Sequence, residues 1–205
     1  MCVDGSKQRR EPNYKKEDNA SPTVSNGGIL VGCAIDAWER RDAASMCLQG
    51  AFLQAYLLKH LKENNMKEVI MCLKGNLAKL MFMVKPTLYC KYLTHDKKGT
   101  AMLYVTMNKA LYGLLASALV FYKKLVAELK AYGFKVNPYD PCVSNMDING
   151  SQMTVFWHVD DLKVSHKDTF EVTKFSTDMS GVYGEKMTVT QGLVHEYLGM
   201  GPDFS

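Results

Sequence analysis

Val155-Phe156-Trp157-His158-Val159-Asp160-Asp161-Leu162-Lys163-Val164-Ser165-His166 sets two adjacent carboxylates between two apolar, strand-like runs. An unpaired charge is costly inside a strand, so paired aspartates at a break between strands need a cation, a basic partner or water. Hairpin turns supply water, and taken alone the pair reads as a solvated turn. Upstream, Asn149-Gly150 is a strong hairpin dipeptide. It predicts that residues 142–148 pair antiparallel with residues 152–159, and that residues 162–166 turn back as a third strand. The aspartates then stand at the far end of the hairpin.

Working outward, Asp168 and Glu171 form a capping box ahead of a helix with Phe170, Phe175, Met179 and Val182 inside and Gly184 behind it. A last hairpin is expected from residues 187–190 and 193–198 around Gln191-Gly192. The clearest helix spans residues 117–132, with Phe121, Leu125, Val126, Leu129 and Tyr132 on one face and Gly133 as its stop. Residues 29–38 (ILVGCAIDAW) fit a helix or a strand equally, and residues 43–53 (AASMCLQGAFL) suggest a buried strand turning into a helix. Between them and the long helix come a helical pattern at 53–65, a strand at 69–73 and a strand at 101–107. Leu77, Leu80, Met81 and Val84 form a helical face ended by Pro86, with Met81 and Met83 as core filler. Residues 1–28 read as a flexible basic arm in which Lys7, Arg9 and Arg10 are either solvated or in contact with phosphate. The order predicts an α+β fold with helices on one face of an antiparallel sheet.

Composition narrows the class only a little. With 47% apolar and 22% charged residues in 205 positions, the chain has material for a real core, and a net charge of +4 permits nucleic-acid binding without requiring it. The six cysteines are scattered, with no Cys-x-x-Cys pair and no His at zinc-ligand spacing, so a reducing, cytoplasmic setting is the default. Apolar stretches fall short of the roughly twenty residues that span a bilayer, and no membrane partner is expected.

Several motifs, in one order, are similar to the reverse transcriptase region of copia-type LTR retrotransposon polyproteins. They are Ser21-Pro22-Thr23-Val24, Glu39-Arg40-Arg41-Asp42, Gly50-Ala51-Phe52-Leu53-Gln54, Lys109-Ala110-Leu111-Tyr112-Gly113-Leu114, Gly133-Phe134 with Asn137-Pro138-Tyr139-Asp140-Pro141-Cys142-Val143, His158-Val159-Asp160-Asp161, and Tyr197-Leu198-Gly199-Met200. The resemblance implies a fingers and palm architecture with the thumb absent or only begun. Residues 1–28 would form the fingers edge, 29–108 the fingers with a first palm strand at about 43–53, and 109–205 a palm ending in a primer-grip-like hairpin. It further implies RNA-directed DNA polymerase activity by two-metal nucleotidyl transfer.

In that family Asp160 and Asp161 match the catalytic, magnesium-binding pair, two divalent ions being expected. Phe52 matches the aromatic under the incoming sugar, Tyr112 and Gly113 the nucleotide pocket, and Lys7 and Arg9 the basic residues that touch the triphosphate. His158 replaces the usual Tyr and either presents its ring to the primer end or is a packed histidine. Tyr197, Leu198, Gly199 and Met200 resemble the strand that holds the primer. The implied partners are an RNA or DNA template-primer and deoxynucleoside triphosphates, in the cytoplasm or in a virus-like particle; the oligomeric state stays open.

One departure matters. The family's first metal-binding aspartate lies three residues before Gly-Ala-Phe, and Cys47 stands there. A thiol is a poor magnesium ligand. Asp42 is no replacement, being five residues along a strand, roughly 16 Å, and on the opposite face. Leu115-Ala116 also replace the Lys-Gln that often follows Leu-Tyr-Gly-Leu. The expected protein is a fingers-palm fragment with impaired catalysis; the alternatives are an inactive relic or domesticated nucleic-acid- or protein-binding domain, and a generic α+β domain with a solvated Asp-Asp turn.

Overall fold

Ala43, Ala44, Met46 and Leu48 are buried in β1 (Asp42–Leu48), the strand on which the larger sheet is built. It pairs antiparallel with β8 (Asp161–His166) on one side and with β9 (Met187–Gly192) on the other. Beyond β8 follow β7 (Ser151–His158), β6 (Val143–Ile148) and the short β5 (Lys135–Val136), giving the order β5-β6-β7-β8-β1-β9. The computed structural model describes residues 20–192, 194, 197–201 and 203; Lys7 and Arg9 lie outside the described residues. Two compact units divide the chain, one within residues 1–55 and 110–205 and the other Tyr56–Lys109. The fold is α+β with antiparallel sheets.

Helices cover both faces of the six-stranded sheet, not one as expected. Adjacent strand residues point to opposite sides. On the Trp157 side lie α5 (Ser117–Tyr132), whose Tyr122 ring meets Trp157, and α6 (Thr169–Tyr183), whose Phe175 meets the Phe134 ring that follows α5. On the Phe156 side lies α1 (Asn26–Glu39). Residues 29–38 are therefore helical, and residues 26–28 belong to this helix instead of an arm. Its approach is close: a Cβ on Gly32 would stand 2.9 Å from the Phe156 ring. The Ser25 hydroxyl caps the helix by accepting from the Gly28 N–H, while the Ser25 N–H and hydroxyl both donate to the Asp140 carboxylate.

Three further expectations change. The first strand stops at Leu48, because Gly50 takes φ 66 and a 3-10 turn covers Ala51–Gln54. In α6, Phe170 and Val182 face solvent, and the buried row is Val172, Phe175, Ser176, Met179 and Tyr183. No hairpin turns at Gln191-Gly192: both residues continue β9 against β1, with Gln191 Nε2 donating to Asp42 Oδ2 at 2.5 Å.

The smaller unit holds α2 (Leu57–Glu63) and a sheet in the order β2-β4-β3, formed by β2 (Ile70–Lys74), β3 (Leu93–His95) and β4 (Ala101–Thr106). α3 (Asn76–Val84) precedes the single turn α4 (Pro86–Tyr89). Ala78 joins Leu73, Ala101 and Leu103 in its core, with Met81 packed alongside. The expected apolar face of α3 is only partly inside: Leu77, Leu80, Met83 and Val84 are exposed, because the helix approaches this small sheet through Ala78. Met83 is consequently not core filler.

Candidate active site at the Asp160-Asp161 turn

β7 and β8 are joined by a two-residue turn, with His158 paired to Asp161 across it. Its first central residue, Val159, has φ 57. A β-branched residue there is a true outlier, and left-handed backbone costs an L-residue about 1–2 kcal/mol. The turn is held against β1 by the Leu48 N–H, which donates to the Asp160 carbonyl at 2.9 Å. Replacing Val159 with Gly is expected to raise stability by about 1 kcal/mol, read as a later urea midpoint at unchanged slope. An unchanged or earlier midpoint would show that the turn stores no strain.

The register of β1 against β8 sets Cys47 directly opposite Asp161. Partial removal from water, then the hydrogen bond from the thiol to the Asp161 carboxylate, then the charges of Asp161 and Asp160 push the Cys47 thiol from 9.0 to about 11. The Tyr112 hydroxyl donates to Asp160 Oδ2 at 3.4 Å, and its ring lies 4.4 Å from that of Phe52. Phe52 in turn meets Phe121 of α5 at 6.4 Å. Burial first, and then the Asp160 charge and hydrogen bond, raise the Tyr112 phenol as well. A cavity of about 440 Å³ opens beside Cys47 and Asp161, lined also by Ser45, Thr188, Thr190 and Tyr197.

Two consequences of the raised thiol are measurable. The thiolate is the nucleophile, so alkylation of Cys47 at pH 8 is expected to run about tenfold slower than for a thiol at 9.0, the smaller thiolate fraction being partly offset by the greater nucleophilicity of the more basic sulfur. Peptide mapping after iodoacetamide treatment from pH 7 to 11 reads this; a rate that levels off near pH 9 would contradict the hydrogen-bonded pair. The folded value lies above the unfolded one, so the protonated thiol's contribution to stability is full below about 9 and fades as pH rises through about 11.

These donors do not suit a pair of magnesium ions. Magnesium takes hard oxygen ligands in octahedral geometry, whereas Cys47 offers a protonated sulfur whose proton already occupies Asp161. Among the described residues, no group of three or more His, Cys, Asp or Glu is placed to hold a metal ion. Asp42 sits at the other end of β1, paired with His166 and bonded to Gln191, and supplies no third carboxylate.

The remaining residues singled out from the sequence fall into two groups. Gly113, at φ 94, forms the bend beside Tyr112, and His158 ends β7 half-buried. Tyr197 is 3% exposed; its hydroxyl donates to the Asp161 carbonyl at 3.2 Å and its ring stands edge-on to Phe156 at 5.4 Å. Leu198 and Gly199, at φ 52 and 73, form a tight turn closed by reciprocal Tyr197–Met200 backbone bonds. The segment Tyr197–Met200, expected to resemble a primer-holding strand, is thus a turn whose Tyr197 hydroxyl bonds to the Asp161 carbonyl.

A buried ionic cluster on the Phe156 face was not visible in the motifs. Lys163, 0% exposed, pairs with Asp36 of α1, and the Ser165 hydroxyl donates to the same carboxylate at 2.5 Å. Arg41 lies 3.9 Å from Asp36 and donates to Glu39 at 2.9 Å and to Thr154 at 3.1 Å. The available signal was complementary: one acid in the otherwise uncharged residues 29–38, and one lysine inside an apolar strand.

Comparison with known proteins adds little beyond this. No family model matches the chain, and no curated protein matches it. Among solved structures, telomerase from Candida albicans, in complex with a fragment of telomeric RNA, gives a TM-score of 0.45 at 11% identity over 97% of this chain and 35% of that one. Apo telomerase from Candida tropicalis gives 0.45 at 9% identity over 97% and 37%. The chain thus spans about a third of the length of these structures, and a likeness of that size does not assign a function.

Proposed function

We propose that this chain is a fingers-palm region of the copia reverse transcriptase type whose nucleotidyl transfer is disabled at residue 47. Support comes from the ordered motifs and, above all, from one geometric observation: Cys47 and Asp161 are cross-strand partners, with Asp160 in the adjoining turn. A merely solvated Asp-Asp turn has no reason to face the residue three before Gly-Ala-Phe. The substrate class is an RNA or DNA template-primer with deoxynucleoside triphosphates. Tyr112, held on Phe52 beside Asp160, forms the wall of the nucleotide pocket.

In this reading magnesium would supply charge neutralisation at the primer hydroxyl and the leaving group, and the native donor set does not hold it. What the chain's own residues do is narrower. Asp161 accepts a hydrogen bond from the Cys47 thiol, Tyr112 steadies Asp160, and the Leu48–Asp160 backbone bond fixes the turn to β1. The alternative, a relic that binds nucleic acid without chemistry, is favoured by the same thiol–carboxylate pair.

Primer extension and template-primer anisotropy, run on the native chain and on Cys47→Asp, separate the two. Extension by the variant alone supports a disabled polymerase. Binding without extension by either supports the binding relic, and neither binding nor extension overturns both. No helix among the described residues is long and apolar enough to cross a membrane.

A further inference from the structure

Helix α1 is apolar on both of its faces, and the sheet uses only one of them. Toward the sheet, Ile29 is buried, Gly32 lies against the Phe156 ring, and Asp36 is buried in its pairing with Lys163. The outward face carries Leu30, Val31, Ala34, Ile35, Ala37 and Trp38, all exposed and none charged. Trp38 is 89% and Leu30 64% exposed. Neither acid of the helix interrupts this face, since Asp36 is inside and Glu39 is the last residue, bonded to Arg41. A helix that is hydrophobic all round is ordinarily buried all round. The outward face of α1 therefore calls for a partner.

Three observations make that partner a second copy of this chain. The first is spacing: Gly27, Val31, Ala34 and Trp38 fall four, three and four residues apart, the seam of a two-helix coiled coil. Turned antiparallel about a two-fold axis between Val31 and Ala34, this seam meets itself with Trp38 over Gly27 and Val31 over Ala34. Each level then sets a large side chain against a small one, the self-complementarity that a two-fold contact requires. The second is shape. Gly27 helps to line a surface depression of about 310 Å³, together with Val31, Ile35 and Tyr139. An indole arriving over Gly27 thus meets a hollow. The third is area: with Tyr139, itself 96% exposed, the face offers about 700 Å² per copy, against the roughly 800 Å² that each partner gives to a standard interface.

We propose that this chain forms a two-fold symmetric homodimer through the outward face of α1, with Trp38 of each copy seated over Gly27 of the other. Neither the Asp160-Asp161 turn nor any catalytic assignment enters this contact.

Sedimentation equilibrium of the native chain from about 1 to 100 µM tests it, because interfaces of this size associate at micromolar concentrations or below. A reversible dimer is expected. Trp157, the other tryptophan, is already buried, so a blue shift of emission over the same range reports Trp38 leaving water. Trp38→Lys is expected to weaken association about 30-fold or more, the loss typical of a central tryptophan anchor. Val31→Lys and Ala34→Glu read the register: each alone prevents association, and an equimolar mixture of the two restores it, because residue 31 of one copy faces residue 34 of the other. All three positions are exposed, so the urea midpoints of the variants are expected to match that of the monomeric native chain. A native chain still monomeric at about 100 µM, a dimer that Trp38→Lys leaves intact, or a mixture that stays monomeric overturns the proposal. So does a blue shift of Trp38 on neutral phosphatidylcholine vesicles without self-association, which assigns the face to lipid.

Discussion

Cys47→Asp is expected to raise magnesium-dependent primer extension roughly 100-fold or more over the native chain, since about 3 kcal/mol of transition-state stabilisation already gives that factor. The argument is geometric. Residue 47 is the cross-strand partner of Asp161, and Asp160 is fixed to the same strand end through the Leu48 N–H. A carboxylate at 47 would face two others and repel them, a repulsion that a divalent cation relieves. Manganese binding by calorimetry should therefore appear in Cys47→Asp and be absent in the native chain and in Cys47→Ser. The serine control separates losing the thiol from gaining a carboxylate. Extension by the native chain at the level of the variant would refute the assignment of residue 47, and an aspartate variant that binds no manganese would refute the site.

Lys163→Met is the second large effect, with an expected loss of about 3–5 kcal/mol in folding stability, because it strands a buried carboxylate. Lys163 and Asp36 are 0% and 1% exposed, and among the described residues Asp36 would keep the Ser165 hydroxyl and an Arg41 nitrogen at 3.9 Å. Removing both charges together is far milder, since a buried pair is often replaceable by apolar residues at little cost. Urea denaturation of Lys163→Met and of Asp36→Leu/Lys163→Met reads the difference. The double variant is expected within about 1 kcal/mol of the native chain, and it keeps the test readable if the single variant does not fold. Equal losses in single and double variants would show that the two charges do not interact.

How far the sequence reveals the structure depends on whether a local rule or a distant partner decides each element. Asn149-Gly150 dictates its own turn, and the helix Ser117–Tyr132 follows from its spacing and from Gly133; both stand where expected. The inner face of α6 did not follow from hydrophobicity, because it runs through Ser176, whose hydroxyl is satisfied by the Val172 carbonyl and so passes inside unnoticed. Gln191-Gly192 has turn chemistry, but β1 needs a partner on its second edge, and pairing prevails over propensity. Residues 29–38 were ambiguous because their one acid is buried against a lysine far along the chain. The Cys47–Asp161 juxtaposition was legible only through the resemblance; nothing local in either segment states it.

The position of β1 also has a consequence for how the protein comes into being. It is the first strand of the larger sheet to leave the ribosome, yet both of its neighbours, Asp161–His166 and Met187–Gly192, are made more than a hundred residues later. At about 5–20 residues per second, its buried Ala43, Ala44, Met46 and Leu48 wait on the order of ten seconds before either edge can be covered. A nascent chain stalled before Asp161 exposes both strand edges at once, while one stalled before Met187 exposes a single edge. Synthesis rate and chaperone occupancy over that interval, more than the stability of the finished sheet, then set the yield of folded protein.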